Sequence, residues 1–264
     1  QDMPACVRTL ADVEARSGTF RRRLSSIDVR HPVRSIRHLA APEFGDATLA
    51  SVSEALTPDD FHVESGHNGL ADPRLTQELY AAIGVNPRFA CVRVDASDEH
   101  FSEEQQMQFA AVTMLLPGGT LAVAFRGTDD SLVGWKEDFN MAFQYPVPAQ
   151  RAASAYLDTV ARLWDGPIVL VGHSKGGNLA VYAAANAPAA VQERLIAVCC
   201  HDGPGFDADF FDTPGYARVA PLVDKSVPES SIVGMLFEMR EHVEDGYTIV
   251  SSDGASIMQH FALN

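Results

Sequence analysis

Pro167-Ile168-Val169-Leu170-Val171-Gly172-His173-Ser174-Lys175-Gly176-Gly177-Asn178-Leu179-Ala180-Val181-Tyr182 is the stretch that decides the fold. It opens on a short apolar run of the kind that forms a buried strand, and it closes on an Ala-rich run of helical character. Between them Gly172-His173-Ser174-Lys175-Gly176 fits G-x-S-x-G, which is common by chance but has mechanical meaning when it joins a strand to a helix. Such a turn strains the backbone of its serine, and only small residues two positions to either side let the crossing chains pass. It also lifts the hydroxyl to a helix N-terminus, where the dipole and free N–H groups favour a developing negative charge. A plain tight turn would also use glycines, but the flanking strand and helix favour Ser174 as a nucleophile.

Working outward from this elbow, the chain alternates between helix and strand. Gln150 to Trp164 reads as a helix, Ile168 to Val171 as a strand, Lys175 to Asn186 as a helix and Leu195 to Cys200 as a buried strand. Such alternation predicts parallel strands with crossover helices on both faces. Upstream, Phe89 to Val94, Phe109 to Leu116 and Thr120 to Phe125 are β-rich, and Pro117-Gly118-Gly119 makes the last two an antiparallel hairpin. A helix is expected from Pro73 to about Ile83, ended by Gly84. Ser231 to Phe237 and Tyr247 to Ser251 are the later candidate strands. The expected fold class is therefore α/β, an α/β-hydrolase fold with a mostly parallel central sheet, helices on both faces and an antiparallel N-terminal hairpin. With 264 residues and no dividing linker, residues 1–264 are expected to form one domain. Residues 1–60 read as a polar, helical segment without a catalytic pattern.

The composition is 46% hydrophobic and 21% charged, which suits a packed globular core. A formal charge of −15 disfavours nucleic acid and anionic membrane as partners. Residues 1–40 are the exception: they carry eight Arg against four acids, a pattern read first as a solvated face. The four cysteines show no zinc spacing, so no metal site is expected. They suggest a reducing compartment, hence the cytoplasm, while Gln1 leaves a removed leader and secretion open. No apolar run approaches the roughly 18 residues of a membrane span.

Ala124-Phe125-Arg126-Gly127-Thr128-Asp129-Asp130, Val133-Gly134-Trp135-Lys136-Glu137-Asp138-Phe139-Asn140, the elbow, and Asp202-Gly203-Pro204-Gly205-Phe206 occur in that order. Together they resemble a poorly characterised bacterial family of α/β hydrolases, similar in turn to the class 3 lipases. The resemblance continues through Val227 to Gly234 and Gln259-His260, so it spans about residues 85–260. It implies that Thr128 contributes to an oxyanion hole, with the backbone N–H of Lys175 as second donor. Arg126 and Asp129 are read as an ion pair shaping that loop. Lys175 departs from the class 3 pattern, where an apolar residue follows the serine. A Ser-Lys dyad is the alternative it raises, although adjacent side chains at a helix start diverge.

A serine needs a base, and this fold class supplies its partners in the order Ser, acid, His. His201, His242 and His260 follow Ser174. His260 lies beyond the last candidate strand and is assigned as base, since His201 leaves no later acid-then-His order and His242 sits in a charged stretch. Asp202, Asp224, Glu229 and Asp253 are available as the acid. Asp202, leaving a core strand on the elbow's edge of the sheet, is preferred, and Asp224 is the runner-up. The chemistry expected is that of a serine hydrolase, esterase- or lipase-like, without metal or organic cofactor, whose partner is a small-molecule acyl ester or thioester. Acyl transfer on the same site and a non-catalytic binding module remain alternatives.

Residues 131–148 form a candidate lid or acyl-binding wall, with Trp135, Phe139 and Phe143 as candidate substrate contacts and Tyr145 nearby. Lys136, Glu137 and Asp138 interrupt these aromatics. That interruption predicts poor adsorption to a lipid surface, and hence a small or medium acyl chain.

Overall fold

The computed structural model describes residues 47–56, 73–129, 131–237, 247–252, 254 and 256–260. The basic segment 1–40, His242 and Asp253 lie outside the described residues. A seven-stranded sheet runs in sequence order, β1 (Arg93–Ser102), β2 (Met107–Leu116), β3 (Thr120–Phe125), β4 (Ile168–His173), β5 (Leu195–His201), β6 (Val223–Pro228) and β7 (Tyr247–Val250). The first three strands pair antiparallel and every pair from β3 onward is parallel. Helices lie on both sides of this mixed sheet, which places the chain in the α/β class.

The helices are α1 (Leu49–Ala55), α2 (Pro73–Val85), α3 (Leu132–Asn140), α4 (Pro148–Leu163), α5 (Lys175–Asn186), α6 (Ala189–Gln192), α7 (Ala208–Phe211) and α8 (Pro214–Val219). α5 is buried along almost its whole length, because its small alanines let it settle between the sheet, α4 and α8. Phe109, Leu121, Val123, Leu170, Leu179 and Val198 have no exposed surface and form the centre of the core. Each such side chain contributes about 1.5–3 kcal/mol on leaving water. The consequence for the site is a rigid platform beneath the C-terminal ends of β3, β4 and β5.

The hairpin follows the sequence closely, with Gly118 (φ 97°) and Gly119 (φ 85°) supplying a backbone that only glycine adopts without strain. Other expectations need correction. The first strand starts at Arg93 and continues to Ser102, whereas Phe89 to Val92 make hydrogen-bonded turns. A register shift between Val94 and Ser97 breaks the alternation that would have revealed it. α2 runs from Pro73, as expected, and ends one residue past Gly84, at Val85. That glycine lies inside the helix at its contact with α1, where a Cβ would come within 2.5 Å of the Ser53 Cβ.

Ser231 to Phe237 is not a strand, and its only regular element is a 3-10 turn at Val233–Met235. The sixth strand is instead Val223–Pro228, whose pattern directs Lys225 and Val227 inward and leaves Asp224 exposed. A lysine at 1% exposure removes the apolar signal by which a strand is usually read.

Candidate active site

Ser174 connects β4 to α5 with φ 58° and ψ −133°, a strained conformation for a residue with a Cβ. The flanking glycines make the crossing possible. A Cβ on Gly172 would lie 2.1 Å from the Gly176 carbonyl oxygen, and one on Gly176 would lie 2.1 Å from that of Phe125. The Ser174 N–H donates to the His201 carbonyl at 2.9 Å, so the elbow is tied to β5 as well.

Asp202 leaves the end of β5 with φ 49° and turns its carboxylate toward three donors. Oδ2 is 2.6 Å from His260 Nδ1, while Oδ1 accepts from the Gly234 N–H at 3.1 Å and from the Ser231 hydroxyl. Burial pushes this carboxyl's pKa up, but the hydrogen bonds from His260 and Ser231 and the imidazoles' charge outweigh it. The net result lies below the usual carboxylate value. The Val233–Met235 turn is thus the cradle of Asp202, and it packs so closely that a Cβ on Gly234 would fall 2.2 Å from Oδ1.

His260 is buried at the end of a 3-10 segment, Ser256–His260, with its ring centroid 4.6 Å from that of His173 at 31°. Burial first, and the neighbouring His260 second, lower the pKa of His173 to about 4, so His173 is neutral near pH 7. Sequence reasoning missed His173 because it occupies a free position of the elbow motif.

The other candidates stand elsewhere. His201 Nδ1 lies 2.7 Å from the Ser226 hydroxyl on an exposed surface, and Glu229 accepts from Ser251 Oγ at 3.1 Å. Asp224 pairs with Cys199, two rungs before the His201–Ser226 rung and toward the opposite end of the sheet from the elbow.

Thr128 lies in the loop after β3, pressed against the elbow: a Cβ on Gly127 would come 2.8 Å from the His173 carbonyl oxygen. Its hydroxyl donates to Asp138 Oδ2 at 2.6 Å. Burial drives the Asp138 pKa up to about 6, against the lowering influence of Lys175 and Thr128, and its Oδ1 has no hydrogen-bond partner among the described residues. Lys175 runs inward instead of toward Ser174, with Nζ 3.0 Å from Glu137 Oε2 and 2.6 Å from Gln108 Oε1. An ammonium engaged in that way is unsuited to the Ser-Lys alternative. Arg126 finds its shorter partner in Glu99, at 2.9 Å, rather than in Asp129 at 3.8 Å. Asp129 instead accepts from the Ser131 N–H at 3.0 Å, at the start of α3.

Ser174, Lys175, Thr128, Asp138 and His260 line one cavity of about 380 Å³. Trp135, Phe139 and Phe143, from α3 and the turn after it, and Val233, Leu236 and Ile257, from later in the chain, are among its apolar lining residues. Tyr145 does not join them and packs on Tyr182 and Phe210. Of the three charges expected to interrupt the aromatics of residues 131–148, Glu137 is wholly buried and Asp138 lines the cavity, while Lys136 stays exposed among Leu132, Trp135 and Phe139.

The Mbeg1-like family model matches residues 83–264. No curated protein matches the chain. Among solved structures, a Rhizomucor miehei lipase propeptide complex, a deletion mutant, is 17% identical with a TM-score of 0.40, covering 54% of this chain and 49% of that one. The chain thus spans about half the length of that lipase chain. M37 lipase is 16% identical with a TM-score of 0.42, covering 70% of this chain and 69% of its own. The native Rhizomucor miehei lipase propeptide complex is 13% identical with a TM-score of 0.38, covering 79% and 63%. At these scores the likeness carries no functional argument.

Proposed function

We propose that this chain, which belongs to the Mbeg1-like family, is a serine hydrolase of the α/β-hydrolase fold that cleaves a carboxylic ester or thioester. The observation that carries the proposal is the meeting at one cavity of a strained Ser174 and a His260 whose Nδ1 is held by Asp202 at 2.6 Å. With Nδ1 so engaged, Nε2 is the nitrogen assigned as the base.

In the proposed reaction Ser174 Oγ attacks the acyl carbon while His260 takes its proton, and Asp202 steadies the imidazolium. The backbone N–H groups of Lys175 and Thr128 bind the oxyanion, assisted by the N-terminus of α5. The imidazolium then gives its proton to the departing alcohol or thiol. Water, deprotonated by the same imidazole, attacks the acyl-serine, and its collapse restores Ser174 and releases the acid. The acyl group occupies the cavity lined by Trp135, Phe139, Phe143 and Leu236.

A fluorophosphonate probe tests this directly. The wild-type chain is expected to gain one probe mass on Ser174 and to hydrolyse p-nitrophenyl acetate, and Ser174→Ala to do neither. A mass shift that persists in Ser174→Ala would overturn the proposal.

A further inference from the structure

Lys175 is 1% exposed, and a buried ammonium is tolerated only when its charge and its donors are met. Here they are met by the Gln108 carbonyl at 2.9 Å, by Gln108 Oε1 at 2.6 Å and by Glu137 Oε2 at 3.0 Å. Glu137, with no exposed surface, also accepts the N–H of Gln108 at 3.0 Å and that of Ala149 at 2.8 Å. One carboxylate therefore ties the middle of α3 to β2, to the first turn of α4 and to the residue after Ser174.

Two further contacts pin the same helix. The Thr128 hydroxyl donates to Asp138 at 2.6 Å, and Asn140 Nδ2 donates to Gln106 Oε1 at 2.8 Å. At the helix start Gly134 packs so tightly that a Cβ would lie 2.9 Å from Thr128 Cγ2. A segment that opens as a lid is held by few buried contacts. Lifting α3 would carry Glu137 away and leave the Lys175 ammonium buried without its partner, which is costly. The acids that looked like interruptions of an apolar surface are the anchors of a wall.

We propose that Lys175 is a positioning residue which, through Glu137, fixes α3 as a rigid wall of the acyl pocket, in one mechanical unit with the N–H that faces the oxyanion. The pocket then stands open to monomeric esters, and the fixed wall ranks acyl chains by length. This rests on the serine-hydrolase function proposed for the same pocket.

The test uses the full chain as wild type, as Glu137→Gln, and as the double variant Lys175→Met/Glu137→Leu, which removes both charges together so that neither is left buried alone. Amide hydrogen exchange is followed across residues 132–140 and across α4, and kcat/KM is measured for p-nitrophenyl acetate and octanoate. In the wild type α3 is expected to be as protected as α4, and the octanoate rate to cross its aggregation threshold without a jump. In both variants exchange in α3 should rise by about tenfold or more. The octanoate-to-acetate ratio of kcat/KM should fall by about fivefold, through the octanoate KM, whereas general destabilisation would lower both substrates alike.

A wild-type α3 that exchanges like an exposed loop, or a wild-type rate that jumps on aggregation, overturns the proposal without any variant. So do folded, probe-labelled variants with unchanged exchange and an unchanged ratio. If the wild type neither labels nor turns over ester, the hydrolase function fails by itself. Hydrogen exchange then still decides the anchoring: faster exchange of α3 in the variants supports it, and unchanged exchange refutes it.

Discussion

Replacing Asp202 by Asn changes one atom at the point where the proposed base is held. In the wild type the carboxylate accepts from His260 Nδ1, from the Gly234 N–H and from Ser231. Asn keeps one acceptor, which the Gly234 and Ser231 donors already occupy. Its amide N–H then faces His260 Nδ1, turns that nitrogen into an acceptor and moves the ring proton to Nε2, the atom that must receive the serine proton. Loss of a hydrogen bond to a charged group accounts for about 1.5–3 kcal/mol, or one to two decades in rate. The wrong tautomer adds to this, and the same exchange in a Ser-His-Asp enzyme costs roughly 10⁴ in kcat, or about 5.5 kcal/mol. A fall of that order is expected for p-nitrophenyl acetate at pH 7, with fluorophosphonate labelling slowed in parallel. The folded-state pKa of Asp202 is lowered, so its charge stabilises the fold above the ordinary carboxylate value and that stability is lost as pH falls through the folded value. Asp202→Asn should therefore unfold at a lower temperature at pH 7, with the difference closing in acid. Turnover within tenfold of wild type, or an equal loss in Asp224→Asn, would refute the reasoning.

Gly176→Ala should abolish labelling of Ser174 in a chain that still folds, because a Cβ placed 2.1 Å from the Phe125 carbonyl oxygen forces the elbow to shift, at a cost of about 1–3 kcal/mol or more. Labelling at the wild-type rate would show that the elbow geometry is not needed. His173 is neutral when folded down to about pH 4, against 6.5 for an ordinary histidine, so the unfolded state binds more protons between those values and stability rises with pH across the window. The effect is about 3 kcal/mol, and His173→Gln should remove it from the difference between urea midpoints at pH 4.5 and pH 7. An unchanged difference would count against His173 being buried beside His260. Asp138 acts in the opposite sense. With its pKa raised from 3.8 to about 6, the folded state binds more protons, so stability falls as pH rises through that window, again by about 3 kcal/mol. Asp138→Asn should gain stability at pH 7 relative to pH 4, and a parallel pH dependence in variant and wild type would contradict this.

The elbow was legible in the sequence because its constraints are local. Two glycines, a strand and a helix define it, and the helix occupies the residues that periodicity assigns to it, Lys175–Asn186. The choice of Asp202 and His260 drew on chain order together with the predicted strand ends they follow, yet the three donors on Asp202 were not legible, since Ser231 and Gly234 look like part of a β-rich run. What turns that run into a cradle is a long-range contact, and a propensity scale cannot register it. The same holds for Glu137 and Lys175. In sequence each is a charge, and charges are read as surface; only the meeting of β2, α3 and α5 shows that they neutralise one another inside. β6 went unread for a related reason, because its inward position is Lys225.

Asp202, behind His260, and Asp138, which lines the cavity, show how one residue type is given opposite properties. Asp202 receives three donors and keeps its charge, and it stands where an imidazolium would form. Asp138 receives one, from Thr128, leaves its other oxygen bare, and takes up a proton near pH 6. It stands beside Thr128 and Lys175, where an oxyanion would form and where a full negative charge would oppose it. The Lys175 ammonium, 4.0 Å from Asp138 Oδ1, further reduces the negative field on that side. Near pH 7 Asp138 is still mostly ionised, so on that side it is the Lys175 ammonium and the Thr128 hydroxyl that offset its charge.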